Sequence, residues 1–247
     1  MEKKINNQYE FAVDLQRVDF QTTLKLSMLG DLLLTASGKN ADENGFGFKD
    51  LQKNNVTWVL IRFAIEMKRY PLQYEKIRIK TWVEDVSRAF TTRNFTITDE
   101  QGEIIGSAAS NWAALDIETR KPIDLSLLAG LKEKATNEPG LIDRPARLGK
   151  VNTEPADSFT VRYNDIDINQ HVNSIRYIQW ITNLFPLDTF REKYVQRFDI
   201  NYMDEAVFGD KIDICYEEKA EDEFLVEIMS NGNTSCRARL VWKMRVE

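Results

Sequence analysis

The sequence contains a single histidine, His171, and only two cysteines, Cys215 and Cys236, in 247 residues. The cysteines lie in separate strand-like segments without a Cys-x-x-Cys spacing, so we expect reduced, buried thiols and no zinc or other metal site. A glycine-rich phosphate loop is also absent, because Gly45 and Gly47 lack the flanking pattern of a dinucleotide-binding motif. The sequence therefore predicts no metal and no cofactor.

Long apolar runs and a broad positive charge are missing as well. No apolar stretch approaches the roughly 20 residues that span a bilayer, and the amino-terminal segment MEKKINNQYEF has no apolar stretch behind its lysines. We therefore expect neither a membrane span nor a secretory signal. The net charge of −6 argues against a nucleic-acid partner. A composition with 43% hydrophobic and 29% charged residues is typical of a globular protein, which we expect to be cytoplasmic.

One segment of the chain recurs later in the sequence. The stretch RFAIEMKRYPLQYEKIRI, residues 62–79, aligns without a gap with RFDINYMDEAVFGDKIDI, residues 197–214, and six of 18 positions are identical. The predicted elements around the two copies also follow the same order: a strand, one helix and about four further strands. This agreement indicates an internal duplication.

Each half contains one apolar helical pattern. The spacing of Leu24, Met28 and Leu32 predicts a helix from about Thr23 to Lys39, and a second helix is predicted from about His171 to Leu184. Helices that are apolar around most of their circumference must be wrapped by a sheet. The sequence therefore predicts an α+β protein with a tandem (double) hot-dog fold, in which each half is an antiparallel sheet wrapped around one long helix.

The expected division of the chain has three parts. Residues 1–130 form the first hot-dog repeat, residues 131–156 a linker with three prolines and two glycines, and residues 157–247 the second repeat. A fused pair of repeats can cover one sheet edge of each repeat within one chain. The sequence leaves open whether two copies of the chain form a homodimer.

The histidine lies in a cluster of short polar residues just before the second helical pattern. Asp167, Asn169 and His171 occupy alternate positions in NDIDINQHVNSIRYIQW. If the segment is extended, their side chains point the same way, and beside a helix amino terminus they can polarise a carbonyl and move protons. Asn169 or Asn173 alone would be explained as a helix cap, so the combination is what indicates a catalytic site.

The repeat supplies a fourth candidate. Glu205 occupies the position that Tyr70 has in the first copy, and the first half, with QTTLKLSMLG before its helix, shows no equivalent of Asp-x-Asn-x-His. A solvated charge at a strand end is the alternative explanation for Glu205. The sequence thus places the chemistry in the second half, on Asp167, Asn169, His171 and Glu205.

These segments resemble the acyl-acyl carrier protein thioesterases, the plant plastid enzymes and their bacterial relatives. That family's motif is Asp-x-Asn-x-His-Val-Asn-Asn, and TWVLIRFAIEMKRYP followed by RIKTWVED resembles its first half. The resemblance covers nearly the whole chain and implies that the catalytic Asp, Asn, His and Glu are Asp167, Asn169, His171 and Glu205. Ala206 stands where the plant enzymes commonly have a cysteine, so a cysteine nucleophile is excluded at that position.

The resemblance implies hydrolysis of a fatty-acyl thioester on acyl carrier protein, with release of a free fatty acid. Asp167 or Glu205 would be a general base or a nucleophile, His171 would bind or protonate the thioester, and Asn169 would orient the attacking group or stabilise the oxyanion. The first repeat would hold the acyl chain and the second the catalytic residues. The acidic carrier implies a local basic patch. Candidates for this patch are Lys68, Arg69, Arg144, Arg147 and Lys150.

Other functions of the same fold stay open. An acyl-CoA thioesterase would use the same site with another carrier, and a non-catalytic acyl-binding module would use the fold alone. A hot-dog dehydratase needs a histidine opposite an acid on the other helix, where this sequence offers only Asp31. The short stretch before the first strand, in contrast to the long extension of the plant enzymes, leads us to expect a bacterial cytosolic enzyme.

Overall fold

The chain divides into two compact units. The computed structural model describes residues 7–128 and 130–245. One unit holds the chain up to Phe63 together with Lys68–Arg144, and the other holds Ala64–Met67 and the chain from Pro145 onward. The main division therefore falls within residues 131–156.

The first unit is built from strands around one long helix. Its strands are β1 (Gln8–Ala12), β2 (Val56–Met67, of which Ala64–Met67 belong to the other unit), β3 (Lys76–Val86), β4 (Thr91–Thr98) and β5 (Ile104–Asp116). They lie in the order β1-β3-β4-β5-β2, with antiparallel pairing of β1 with β3, β3 with β4 and β4 with β5. Two helices precede β2, namely α1 (Leu26–Glu43) and α2 (Phe48–Gln52).

Helix α1 forms because its leucines recur at helical spacing and find a sheet to pack against. Leu29, Leu32 and Leu33 are 1% exposed or less, and the helix contacts β1 and β3. Burial of each leucine side chain contributes about 1.5–3 kcal/mol. The helix begins later than predicted, because Thr23 and Leu24 form bridges with other strand-like segments, and it extends beyond the predicted end at Lys39.

The second unit repeats this plan with a shorter first helix. Its strands are β6 (Asp157–Thr160), β7 (Lys193–Tyr202), β8 (Lys211–Ala220), β9 (Glu223–Ser230) and β10 (Asn233–Met244). They lie in the order β7-β10-β9-β8-β6, and every neighbouring pair is antiparallel. Two helices precede β7, namely α3 (Ser174–Thr182) and α4 (Leu187–Glu192).

The prediction of one long helix is wrong for the second unit. Helix α3 has nine residues. The three residues before it are extended or in a cap, because His171 and Val172 form isolated antiparallel bridges and Asn173 is the N-cap. The apolar pattern continues to Leu184, but α3 stops before that residue and α4 starts after Pro186.

Two strand boundaries recur with the spacing of the sequence repeat. Strand β2 ends at Met67 and strand β7 ends at Tyr202, two positions that coincide in the gap-free alignment. Strand β3 begins at Lys76 and strand β8 begins at Lys211, which coincide in the same alignment. The two aligned segments therefore cover the same pair of strand boundaries in each copy of the repeat.

Three expectations from composition concern the cysteines, membrane spans and metal ions. Cys215 and Cys236 are buried and free, as predicted, and burial raises the pKa of both thiols, which keeps them protonated and unreactive. Across the described residues, no helix is both long and apolar enough to cross a membrane. Within the same residues, no group of three or more His, Cys, Asp or Glu side chains could hold a metal ion.

Candidate active site

His171 lies at the end of a tight loop that the carboxylate of Asp167 holds together. Oδ1 of Asp167 accepts hydrogen bonds from the backbone N–H groups of Asn169 at 2.8 Å and His171 at 3.3 Å. Gln170 has a φ of 66°, and the N–H of Asp167 donates to the carbonyl of His171 at 2.8 Å. The expectation of an extended segment is therefore wrong, because the backbone turns back on itself between Asp167 and His171.

The loop is fixed to the segment that carries Glu205. His171 forms a bridge with Val207, and the N–H of Val172 donates to the carbonyl of Ala206 at 2.8 Å. These contacts bring Nδ1 of His171 to 3.3 Å from Oε1 of Glu205, with the side chains 27% and 38% exposed. The ring and the carboxylate are thus adjacent, and both remain accessible to solvent.

The four candidate residues form two neighbouring pairs. His171 and Glu205 are one pair; Asp167 and Asn169 are the other, with Nδ2 of Asn169 3.5 Å from Oδ2 of Asp167. Asp167, Asn169 and His171 line one open depression. The arrangement offers an imidazole and a carboxylate for proton transfer, and an amide able to donate to an oxyanion.

The apolar rim of this depression was not predicted from the sequence. Tyr163, Ile168 and Phe208 line it and are 84%, 83% and 67% exposed. Ile168 and Phe208 fall outside the helical and strand patterns of the sequence, so no pattern marks them. Large apolar side chains left in solvent around a polar site are typical of a binding surface for a partly apolar ligand.

Asn173 has the capping role given above as the alternative explanation for an asparagine before the helix. Its side-chain oxygen accepts a hydrogen bond from the N–H of Ile175 at 2.9 Å, which satisfies one of the free donors in the first turn of α3. His171 precedes this cap and lies outside the helix. The candidate site is therefore built on the loop rather than on the helix end.

Replacement of Asn173 by alanine should lower the free energy of unfolding by about 1 kcal/mol, because an N-cap bond is lost. Chemical denaturation of Asn173→Ala measures this loss. Asn169→Ala is the matched control, since Asn169 is exposed and its side chain makes one long contact; we expect its stability to be unchanged and its turnover lower. Equal destabilisation by both variants would contradict the capping assignment.

Solved structures that resemble this chain over most of its length include thioesterases. An acyl-ACP thioesterase from Bacteroides thetaiotaomicron superimposes with a TM-score of 0.91 over 96% of this chain and 97% of that chain, at 41% sequence identity. A 12:0-ACP thioesterase from Umbellularia californica gives a TM-score of 0.79 over 96% and 97% of the two chains, and at 20% identity it shows the fold alone. The mixed α/β architecture, with antiparallel sheets and few helices, is that of thioesterases of the hot-dog type.

Both halves of the sequence match family models. The acyl-ACP thioesterase N-terminal domain matches residues 3–126, and the C-terminal domain matches residues 149–244. The chain belongs to the acyl-ACP thioesterase family.

Two curated relatives are plant enzymes. A chloroplastic oleoyl-acyl carrier protein thioesterase of Coriandrum sativum is 26% identical over an alignment 252 positions long, which covers 92% of this chain and 67% of that protein. A chloroplastic acyl-[acyl-carrier-protein] hydrolase of Cuphea viscosissima is 29% identical over an alignment 171 positions long, which covers 66% of this chain and 42% of that protein. The match to this chain thus spans 42% of one relative and 67% of the other.

Proposed function

We propose that this chain hydrolyses fatty-acyl thioesters carried by acyl carrier protein and releases free fatty acids. The observation that carries the proposal is the 3.3 Å approach of His171 Nδ1 to the Glu205 carboxylate, on the loop that contains the family motif. We further propose a tandem hot-dog fold. In this division, residues 1–130 hold the acyl chain, residues 131–156 link the repeats and residues 157–247 perform the reaction.

The geometry favours the histidine as the group that moves protons. With Glu205 placed to accept the Nδ1 proton, Nε2 of His171 keeps a lone pair and can take a proton from an attacking water. The water oxygen forms a bond to the thioester carbon, and the oxyanion can accept a hydrogen bond from the Asn169 amide. Collapse of this intermediate breaks the carbon–sulfur bond, and the imidazolium returns its proton to the departing sulfur. Glu205 stabilises the imidazolium while it exists.

The acyl chain is proposed to lie in the first unit, whose helix α1 carries the buried leucines Leu29, Leu32 and Leu33. Each methylene transferred from water contributes roughly 0.8 kcal/mol, so the depth of the apolar space sets the preferred chain length.

Release of free thiol from a panel of acyl-carrier substrates tests the proposal. We expect faster release from acyl carrier protein than from matched acyl-CoA. The reverse order would identify an acyl-CoA thioesterase. Binding of the acyl carrier without any thiol release would identify a non-catalytic acyl-binding module.

The basic side chains expected to meet the carrier differ in their availability. Arg144 bonds to Glu84 and Asp85, and Arg69 bonds to Glu75 and Asp99, so these two arginines are engaged within the protein. Arg147 and Lys150 are exposed. We therefore propose Arg147 and Lys150 as the carrier contacts in residues 131–156.

Loss of the positive charges of Arg147 and Lys150 should weaken binding of the carrier more than it slows the catalytic step. The variant with Arg147→Ala and Lys150→Ala is expected to raise KM for an acyl-carrier substrate about threefold to tenfold at low salt, with kcat unchanged, because rim charges mainly steer association. KM measured across ionic strength should vary less than in the unmodified protein. Arg88→Ala, which removes an exposed cation paired with Asp124, is the control. A KM that keeps its full salt dependence in the double variant would refute this docking site.

A further inference from the structure

The first unit contains a second copy of the loop that holds His171, with different side chains. Oδ1 of Asp19 accepts hydrogen bonds from the N–H groups of Gln21 at 2.9 Å and Thr23 at 3.0 Å. Thr22 has a φ of 60°, and the N–H of Asp19 donates to the carbonyl of Thr23 at 2.8 Å. Each of these features has a counterpart in the loop of Asp167.

The attachment of the loop is repeated as well. Thr23 forms an antiparallel bridge with Leu72, and the N–H of Leu24 donates to the carbonyl of Pro71 at 2.9 Å. The corresponding contacts in the second unit are the bridge of His171 and the bond from Val172 described above. The first half therefore lacks an Asp-x-Asn-x-His motif but shares the backbone loop in which that motif lies.

The two loops share the aspartate and differ in the reacting groups. Thr23 stands in the place of His171, and Tyr70 stands in the place of Glu205. The first loop thus has neither an imidazole nor a second carboxylate, and it still needs an aspartate. Because the aspartate makes the same two bonds where no acid–base pair exists, those bonds serve to shape the loop.

We propose that Asp167 is a positioning residue and that the pair of His171 and Glu205 transfers the proton. This inference rests on the proposed hydrolysis and deepens it, because it chooses between two carboxylates. Oδ1 of Asp167 is occupied by two backbone N–H groups, and Oδ2 faces the amide of Asn169. One of the two N–H groups belongs to His171 itself, so the carboxylate fixes the backbone that directs the ring toward Glu205.

Asparagine and alanine at position 167 separate the two roles. Asparagine keeps a neutral oxygen that can accept both N–H bonds, whereas alanine removes the acceptor. We expect Asp167→Asn to keep kcat within about tenfold of the unmodified protein and Asp167→Ala to lose about 10²-fold, the usual effect of a displaced catalytic group. The pH profile of kcat/KM should keep its shape in Asp167→Asn, because the acid–base pair is intact. If Asp167 were a base or a nucleophile, asparagine would cost as much as alanine, about 10²–10⁴-fold.

A measurement without turnover tests the same inference. Because His171 is the only histidine, the imidazole ¹⁵N signals need no assignment and report which ring nitrogen carries the proton. The Nδ1–H form should persist in Asp167→Asn and decline in Asp167→Ala and in Glu205→Gln. Loss of that form in Asp167→Asn, at an unchanged melting temperature, would overturn the positioning role even if the protein hydrolysed no thioester.

The first unit supplies the matched control. Asp19→Ala should lower the melting temperature as Asp167→Ala does, and kcat should stay unchanged, because the Asp19 loop holds no reacting group.

Absence of thiol release from the unmodified protein would reject the proposed hydrolysis, and the imidazole ¹⁵N signals would still decide the role of Asp167. A drop of kcat in Asp19→Ala equal to that in Asp167→Ala would show a general loss of structure and would refute the inference.

Discussion

Replacement of His171 by alanine is expected to lower kcat/KM on an acyl-carrier substrate by about 10²–10⁴-fold, because the proposed general base and acid is lost. The fold should survive this change. The imidazole is 27% exposed, and the loop is held by backbone bonds, including that of Val172 to Ala206, which do not involve the ring. Thiol release under saturating and limiting substrate measures kcat and kcat/KM separately.

The control for His171→Ala is Thr23→Ala, at the equivalent position of the first loop. Its kcat should equal that of the unmodified protein, since no imidazole is removed. Circular dichroism and thermal unfolding establish that both variants are folded. Turnover of His171→Ala within a few-fold of the unmodified protein would exclude this histidine from the chemistry and, with it, the proposed mechanism.

The presence of the first long helix could be predicted from the sequence, but its first and last residues could not. The apolar spacing of Leu24, Met28 and Leu32 correctly indicated a helix in this part of the chain. Leu24 itself lies before the helix, in a bridge with Val18. The spacing therefore located α1 without fixing its first residue.

The ends of the second helix could not be predicted from local pattern. The apolar spacing predicts that the second helix begins near His171. His171 and Val172 form β-bridges instead, so the helix begins later. The bridge of His171 is made with Val207, a residue distant in sequence. Pairing of this kind leaves no mark on the periodicity of the segment itself.

The sequence indicated which side chains lie near one another in the candidate site, but not the backbone conformation that brings them together. Asp167, Asn169 and His171 were chosen because they alternate in an expected extended segment, whereas the structure brings them together in a turn. The turn depends on a positive φ at Gln170. This conformation favours glycine, so a glutamine at that position gives no indication of a turn.

The second copy of the loop was missed because the two parts of the repeat have different spacings. The offset from Asp19 to Asp167 is longer than the offset from Tyr70 to Glu205. An alignment anchored on the strands therefore shifts the loops out of register. A search for an aspartate, an amide side chain two positions later and a polar residue two positions after that, before each helix, would have found both loops.

Replacement of Glu205 by glutamine is expected to lower kcat by about 10²–10⁴-fold, although the side chain keeps its size. A neutral amide cannot stabilise the imidazolium, and it can present an N–H to Nδ1 and so favour the wrong ring tautomer. The carboxylate is 38% exposed, so the loss should come without unfolding. KM should change little, because the interaction strengthens when the ring becomes charged.

Asp204→Asn is the matched control for Glu205→Gln, because it removes a neighbouring negative charge. Its side chain accepts the N–H of Glu205 at 2.9 Å, and asparagine can keep that bond. We expect kcat of Asp204→Asn to stay within a few-fold of the unmodified protein. Equal losses of kcat in the two variants would mean that the reaction responds to the net charge near these residues. The contact between Glu205 and His171, on which the proposed proton transfer depends, would then not be the cause of the loss.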